Sequence, residues 1–283
     1  MMVTMVDGKY ELTVGATYLE IDPQLGARVT ALRVGGKAGQ DLIANSAVTG
    51  QDDNWGSTFW PSPQTWFWPP TDTQKSIAAI NSLPYTVVSD TSSVTLTSAV
   101  SVAAPKVSVI KKFSADVAKE AIVIDYTMTN GDSAPVTVAP WEITRVAAGG
   151  ITFYPPGDGV PKDGGIKTTT SAGATWFQHD PADMTPHKFF ADGKEGWLAH
   201  AAGALLLVKT FPDIPAGAAA TNEAEIELYS APKYVEVEPQ GAVQTLAVGA
   251  SLHWTVRWYA RKLAAPAAVG SAELVAYVQN LIK

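Results

Sequence analysis

A chain of 283 residues that is 46% hydrophobic can bury a large core, since chains near this length hide roughly 75% of their unfolded surface. Only 17% of residues are charged, and 20 Lys and Arg against 27 Asp and Glu leave a net charge of −7. This excludes a disordered polyelectrolyte and gives no basic face for neutralising phosphates, so no nucleic-acid partner is expected. Cysteine is absent, which removes disulfide scaffolds, thiolate metal sites and thiol nucleophiles together.

No run approaches the roughly 20 apolar residues that a membrane helix needs, so no membrane partner is expected. The opening residues 1–7 show neither a basic n-region nor an apolar h-region. A periplasmic or secreted location therefore requires a leader already removed, and the cytoplasm is the other option.

In chain order the signals are those of strands. Segments 10–21, 28–34, 84–90, 93–102, 106–113, 121–130, 135–146, 196–200, 204–211, 224–229, 233–238 and 252–261 are rich in Val, Ile, Thr, Tyr and Trp, with Gly, Pro, Asn, Asp and Ser between them. Residues 94–100 alternate with period two, as do Leu252, Trp254, Val256 and Trp258. Asn130-Gly131 marks a turn between two long strands. Segments 36–83 and 147–195 are long and poor in regular pattern, the kind of loop in which function concentrates. One helix is predicted, at the C-terminus: Ser271 is its N-cap, and Leu274, Val275, Val278 and Leu281 share a face. The expectation is one β-sandwich domain over 1–263, then a linker and helix over 264–283 that pack on it.

Three groups of residues carry chemistry. In residues 54–70, four of the nine tryptophans (Trp55, Trp60, Trp66 and Trp68) lie among prolines and polar residues including Gln64. Indole faces match the C–H faces of sugar rings, and the neighbouring amides and hydroxyls can bond sugar hydroxyls. The competing reading is that these indoles plug one end of the sandwich. In residues 233–241, strand alternation puts Tyr234, Glu236 and Glu238 on one face, with the two carboxylates about 7 Å apart along the backbone. Against apolar walls, repulsion and desolvation raise at least one pKa and make a candidate acid/base pair; on a wet face they do nothing. In residues 140–145, Trp141, Ile143 and Arg145 share one face, with Glu142 and Thr144 on the other; Arg145 suits a carboxylate, either of the protein or of an acidic sugar.

The histidines are His179, His187, His200 and His253, without zinc spacing, so neither a metal nor a cofactor is expected. Asp158-Gly159 and Asp163-Gly164 leave room for a weak calcium site. His179 and His187, the latter beside Lys188, are the histidines to test as proton donors.

Taken in order, three stretches carry a resemblance. They are residues 19–36 with the Gly26-Ala27 turn and Asp41-Leu42-Ile43, residues 122–136 with Thr129-Asn130-Gly131, and Val237-Glu238-Pro239-Gln240 followed by Leu246-Ala247-Val248-Gly249. Together they resemble the galactose mutarotase-like (aldose 1-epimerase) superfamily over roughly residues 12–262, each motif being weak by itself. The resemblance implies one large antiparallel β-supersandwich. It implies a glutamate that takes the proton of the anomeric hydroxyl, a role that falls on Glu238, with Glu236 the alternative register. The histidine that protonates the ring oxygen in that superfamily has no counterpart: its place is held by Trp141 or Glu142, and the place of the usual earlier histidine by the Trp-rich loop.

These observations set three expectations. The first is a carbohydrate-binding protein, a monomer or homodimer, with substrate-binding Trp55, Trp60, Trp66, Trp68, Gln64, Trp141, Arg145 and Lys188. The second is an aldose 1-epimerase-like isomerase, or a lyase or hydrolase of acidic glycans. It would use Glu238 or Glu236 as base, and Glu142, His187 or His179 as acid. The third is a structural module with the indoles buried and no cleft holding Glu236 and Glu238.

Overall fold

A computed structural model describes residues 2–51, 53–66, 77–102, 104–162 and 164–283. The chain opens with the strands β1 (Met2–Val6), β2 (Lys9–Val14), β3 (Thr17–Asp22), β4 (Arg28–Val34) and β5 (Gln40–Asp41). The single-turn helix α1 (Ser46–Thr49), β6 (Ser57–Ser62) and the short α2 (Ala78–Asn81) follow. Then come β7 (Thr86–Ser89), β8 (Val94–Thr97), β9 (Val107–Asp116), β10 (Ala121–Asn130), β11 (Val136–Ala147) and β12 (Ile151–Tyr154). The second half holds β13 (Thr169–Ser171), β14 (Ala174–Gln178), β15 (His187–Ala191), β16 (Trp197–Ala202), β17 (Leu205–Thr210), β18 (Ile226–Ala231), β19 (Tyr234–Pro239), β20 (Gln244–Leu246), β21 (Ser251–Lys262) and α3 (Ala272–Ile282).

Every pairing between these strands is antiparallel, and they form two large sheets. One runs β1-β2-β3-β4-β6-β11-β19-β18-β15, with β5 on β4 and β20 on β11. The other runs β13-β14-β12-β16-β17-β21-β10-β9-β8-β7. The sheets face each other over an apolar core in which Ile124 and Met128 of β10, Val235 and Val237 of β19 and Val256 of β21 are fully buried. This is the expected β-supersandwich. On the far side of the second sheet, α3 covers Trp176, Trp197 and Tyr259 with Leu274, Val275 and Val278. Ser271 Oγ caps it by accepting the Leu274 N–H at 3.1 Å.

The two stretches without a legible pattern contain strands. β6 carries Pro61, which lies opposite Pro140 of β11. Two prolines with no N–H to give do not read as a sheet interior. The strand forms because Phe59 stacks on Tyr126, ring centroids 4.1 Å apart, and so is fixed by the core. β12 follows Gly149 and Gly150, both at positive φ. A Cβ at Gly150 would lie 2.7 Å from the Ala201 carbonyl oxygen, so only glycine permits this return.

Alternation along β11 sends Glu142 into the space between the sheets, which corrects its expected place beside Glu238. There its Oε1 meets Lys209 Nζ at 2.8 Å and accepts Trp258 Nε1–H at 2.9 Å, and its Oε2 accepts the Tyr126 hydroxyl at 2.6 Å. Lys209 also donates to Thr144 Oγ1 at 2.7 Å. Burial pulls Lys209 below its ordinary pKa, and the Glu142 charge opposes that pull. Replacing Lys209 by Met leaves a buried carboxylate unpaired and should cost about 3–5 kcal/mol, whereas the double change Lys209→Met, Glu142→Leu should cost clearly less. Urea unfolding of the parent protein and the two variants measures the difference; equal losses would contradict the pairing.

Candidate functional site

The central strands of the first sheet are buried on both faces. All six residues of β19 and residues 138–146 of β11 are buried. One face is the core. The other is closed by the side chains that β6, β11, β19, β18 and β15 send outward, and the register arranges these in rows. Arg145, Glu236, Tyr229 and Lys188 are successive cross-strand partners. Glu238, Glu227 and Phe190 form the next row. Trp60, Trp141 and Gln240 form the third. The N–H of Gln240 bonds the carbonyl of Glu225 at 2.8 Å, and extending the register puts Glu225, then Asp192, at the end of that row.

Lys188 joins the first two rows. Its Nζ lies 2.7 and 2.8 Å from the two carboxylate oxygens of Glu238 and 2.8 Å from Glu227 Oε2. It also sits 5.3 Å from the Trp141 ring centroid and 5.5 Å from that of Phe190, within cation–π range. Both carboxylates are inaccessible to solvent, while the Lys188 side chain is 22% exposed. Burial raises the Glu227 pKa to about 8 and that of Glu238 to about 7; Lys188 opposes the rise, while Glu238 adds to it for Glu227 and Glu236 for Glu238. Burial acts against charge on Lys188, and the carboxylates Glu227, Glu238 and Glu236 overcome it, so its pKa is raised. One ammonium against two carboxylates leaves room for one shared proton near neutral pH.

Glu236 is held separately. Arg145 Nε donates to its Oε1 at 2.8 Å, and Arg145 Nη1 donates to Thr58 Oγ1 at 2.8 Å. Gln240 Nε2 donates to Glu227 Oε1 at 3.0 Å and to Glu223 Oε2 at 2.7 Å. Glu223 accepts in turn from the Ser62 hydroxyl and the Gln64 N–H, which ties the tryptophan-bearing segment to the acids. Trp60 and Trp141 meet edge to face at 5.8 Å, and Trp60 Nε1 donates to Asn81 Oδ1 at 2.9 Å. The Trp141 Nε1–H is buried without a hydrogen-bond partner among the described residues.

The structure brings Trp60, Gln64, Trp141, Arg145, Lys188, Glu236 and Glu238 onto one face. Trp66 closes the single 3₁₀ turn Gln64–Trp66 beside them. Trp55 stands under the Arg28 guanidinium, 4.8 Å from its ring centroid. Trp68 lies outside the described residues. His187 and Lys188 alternate along β15, so His187 points to the opposite face, bonding Asp183 Oδ2 at 3.0 Å and the Gly164 carbonyl oxygen at 3.1 Å. This corrects its expected place near Glu238. His179 is also elsewhere: its Nδ1 accepts the Gly149 N–H and its Nε2 donates to the Ala231 carbonyl. Among the described residues no group of three or more His, Asp or Glu side chains is arranged to hold a metal; Asp163 of the calcium expectation lies outside them.

Glu227, Glu223 and Glu225 were not singled out in the sequence, and Gln240 was noted there only as part of the stretch 237–240, without a site role. The signal was present: Glu223, Glu225 and Glu227 recur with period two into β18, as Glu236 and Glu238 do in β19. Glu225 is 2% exposed. Burial foremost, with Asp213 and Asp192 adding repulsion, raises its pKa to about 8.

No family model and no curated protein matches this sequence. Solved structures match its fold. A galactose mutarotase-like protein from Lactobacillus casei ATCC 334 superposes with TM-score 0.59 at 14% identity, covering 89% of this chain and 100% of that one. A candidate aldose 1-epimerase from Escherichia coli K12 gives 0.56 at 12% identity, covering 90% and 99%. A galactose mutarotase-like protein from Clostridium acetobutylicum gives 0.55 at 10% identity, covering 92% and 98%. The fold is that of the galactose mutarotase-like, aldose 1-epimerase-like proteins. At these identities the likeness is one of fold.

The raised carboxylates have a consequence for stability. A carboxyl whose folded pKa lies above its unfolded value stabilises most when both states are protonated, and that contribution is lost as pH rises from about 4.5 through the folded pKa. For Glu225 the window runs up to about pH 8. The melting temperature should therefore fall less between pH 5 and pH 8.5 in Glu225→Gln than in the parent protein. Scanning calorimetry across that range tests this, and parallel curves would contradict it.

Proposed function

We propose that this protein binds a carbohydrate on the outer face of its first sheet, against Trp60 and Trp141 and beside the Lys188, Glu227, Glu236 and Glu238 cluster. The observation that supports this reading is the meeting of Trp60 from an early segment and Trp141 of β11 with carboxylates from late strands in adjacent rows of one sheet face. Flat apolar plates next to dense, oriented hydrogen-bonding groups suit a sugar, which has C–H faces and a rim of hydroxyls. The plugged-module reading accounts for the burial of Trp141 and of the two carboxylates but gives no role to the partly exposed lysine that bridges them.

The Glu227–Glu238 pair favours a second reading, an isomerase at the anomeric carbon. Ionised Glu238 would accept the proton of the anomeric hydroxyl. Protonated Glu227 would give its proton to the ring oxygen as the C1–O5 bond breaks. Rotation about C1–C2 and the reverse transfers would close the other anomer and restore both groups. This needs one ionised and one protonated carboxyl at the same pH, which coupled acids near neutrality supply. Lys188 would hold the ionised member.

Titration calorimetry against neutral and acidic mono- and disaccharides tests binding. At least one sugar should bind more tightly than millimolar, and Trp60→Ala should weaken it roughly tenfold. No binding by any sugar would overturn the proposal. NMR measurement of anomer exchange tests the second reading, in which Glu238→Gln abolishes the catalysed rate; an unchanged rate removes the role of Glu238.

A further inference from the structure

The indole of Trp60 is half-buried, and one contact that orients it comes from outside the acid cluster. Its Nε1–H is given to Oδ1 of Asn81, the last residue of α2, at 2.9 Å. That hydrogen bond lies in the ring plane, so the place of Asn81 sets the plane in which the two faces of the indole stand. The same plane meets Trp141 edge to face. What fixes α2 therefore bears on the sugar platform.

A single helical turn does not hold itself together, and the N-cap residue of α2, Ile77, brings no side-chain cap. The turn between β3 and β4 holds it instead. The Gly26 N–H bonds the Leu83 carbonyl at 3.1 Å, and the Tyr85 N–H bonds the Pro23 carbonyl at 2.8 Å. Gly26 stands at φ +64°, and a Cβ there would collide with the Asn81 carbonyl, so the two backbones are in contact. The buried Tyr85 hydroxyl donates to the Ile80 carbonyl at 2.8 Å. Beneath the turn lies Lys111 of β9, from the opposite sheet and 2% exposed. Its Nζ donates to the carbonyls of Gly26 at 2.7 Å and Ala27 at 3.3 Å, and sits 5.4 Å from the Tyr85 ring centroid. Burial pulls its pKa down to about 7; Arg28 of β4 adds to that pull, and Glu142 of β11 opposes it. An ammonium is thus kept in the core at a cost, and both of its hydrogen bonds secure one turn.

We infer that α2 is the mount of the sugar platform: Lys111 fixes the Gly26-Ala27 turn on which α2 sits, and Asn81 fixes the plane of the Trp60 indole. Both are positioning residues, and the inference rests on the reading of Trp60 as a surface for sugar. An indole released from Asn81 turns between orientations and presents the binding face for only part of the time. Affinity then falls by that fraction, although no group that touches the sugar has changed.

Two readouts test this at about pH 6, where Lys111 is charged. One is the assigned indole ¹H–¹⁵N signal of Trp60 in the free protein. The other is calorimetric titration with D-glucose, D-glucuronate and cellobiose. Asn81→Leu, similar in shape but without the acceptor, should move the signal and weaken the probe that the parent protein binds about fivefold, the range of one hydrogen bond. Asn81→Asp keeps an acceptor oxygen in place and should restore the signal and bring affinity within about twofold of the parent. Lys111→Met should move the same signal and weaken the same probe. The double variant should bind no more weakly than the weaker single one, because both changes act through one contact. If Lys111→Met does not fold, the comparison of Asn81→Leu with Asn81→Asp decides. If Trp60→Ala weakens the probe while Asn81→Leu does not, or if Asn81→Asp is as weak as Asn81→Leu, the inference is overturned and the sugar site stands. Losses that add in the double variant also overturn it. If no probe binds the parent protein but the Trp60 signal answers to both residues, the failure lies with the sugar reading and not with the mount.

Discussion

Lys188 Nζ is the shared counter-charge of two carboxylates that face each other across adjacent strands and see no solvent. The arrangement of the outer face follows from this one contact. Two ionised carboxylates in a dry pocket repel, and a single ammonium offsets only one of them. Burial and their mutual repulsion therefore raise the pKa of both carboxyls and favour a shared proton. The neighbours finish the accounting of acceptors: Gln240 bonds Glu227, and Arg145 bonds Glu236. Because these groups satisfy one another, β11 and β19 can be buried on both faces, which is uncommon for strands of an antiparallel sheet.

The interior repeats the device with the opposite outcome. Glu142 and Lys209 also form a buried pair, but the Tyr126 hydroxyl, the Trp258 indole N–H and Thr144 complete it, and no unpaired charge remains. The two clusters lie on opposite faces of one strand, since Trp141 and Glu142 are consecutive. One is saturated and enclosed between sheets. The other is short of positive charge, which is where a ligand has something to contribute.

Much of this was legible in the sequence, because strand alternation has only two outcomes. Glu236 and Glu238 were placed on one face, and Trp141 and Arg145 were separated from Glu142, by period two alone. The same rule set His187 and Lys188 on opposite faces, but which face looked toward the acids depended on β15 pairing with β18, a contact between segments about 40 residues apart. Glu227 was missed for the same reason: its partner is chosen by register across two strands, not by any local pattern. β6 was hidden by its prolines and held by the stack of Phe59 on Tyr126, a tertiary contact that no local propensity reports. The C-terminal helix carried its own cap and apolar stripe and was read from those.

The central claim is that a sugar lies against Trp60 and Trp141. The nine tryptophans give nine indole N–H reporters, and Trp176, Trp197 and Trp258 are each at most 1% exposed and lie elsewhere in the molecule. Assigned ¹H–¹⁵N spectra recorded during titration with a bound sugar measure the claim directly. The account predicts shifts of the Trp60 and Trp141 indole signals with those three unmoved; shifts confined to other tryptophans, with Trp60 and Trp141 unchanged at saturation, would contradict it.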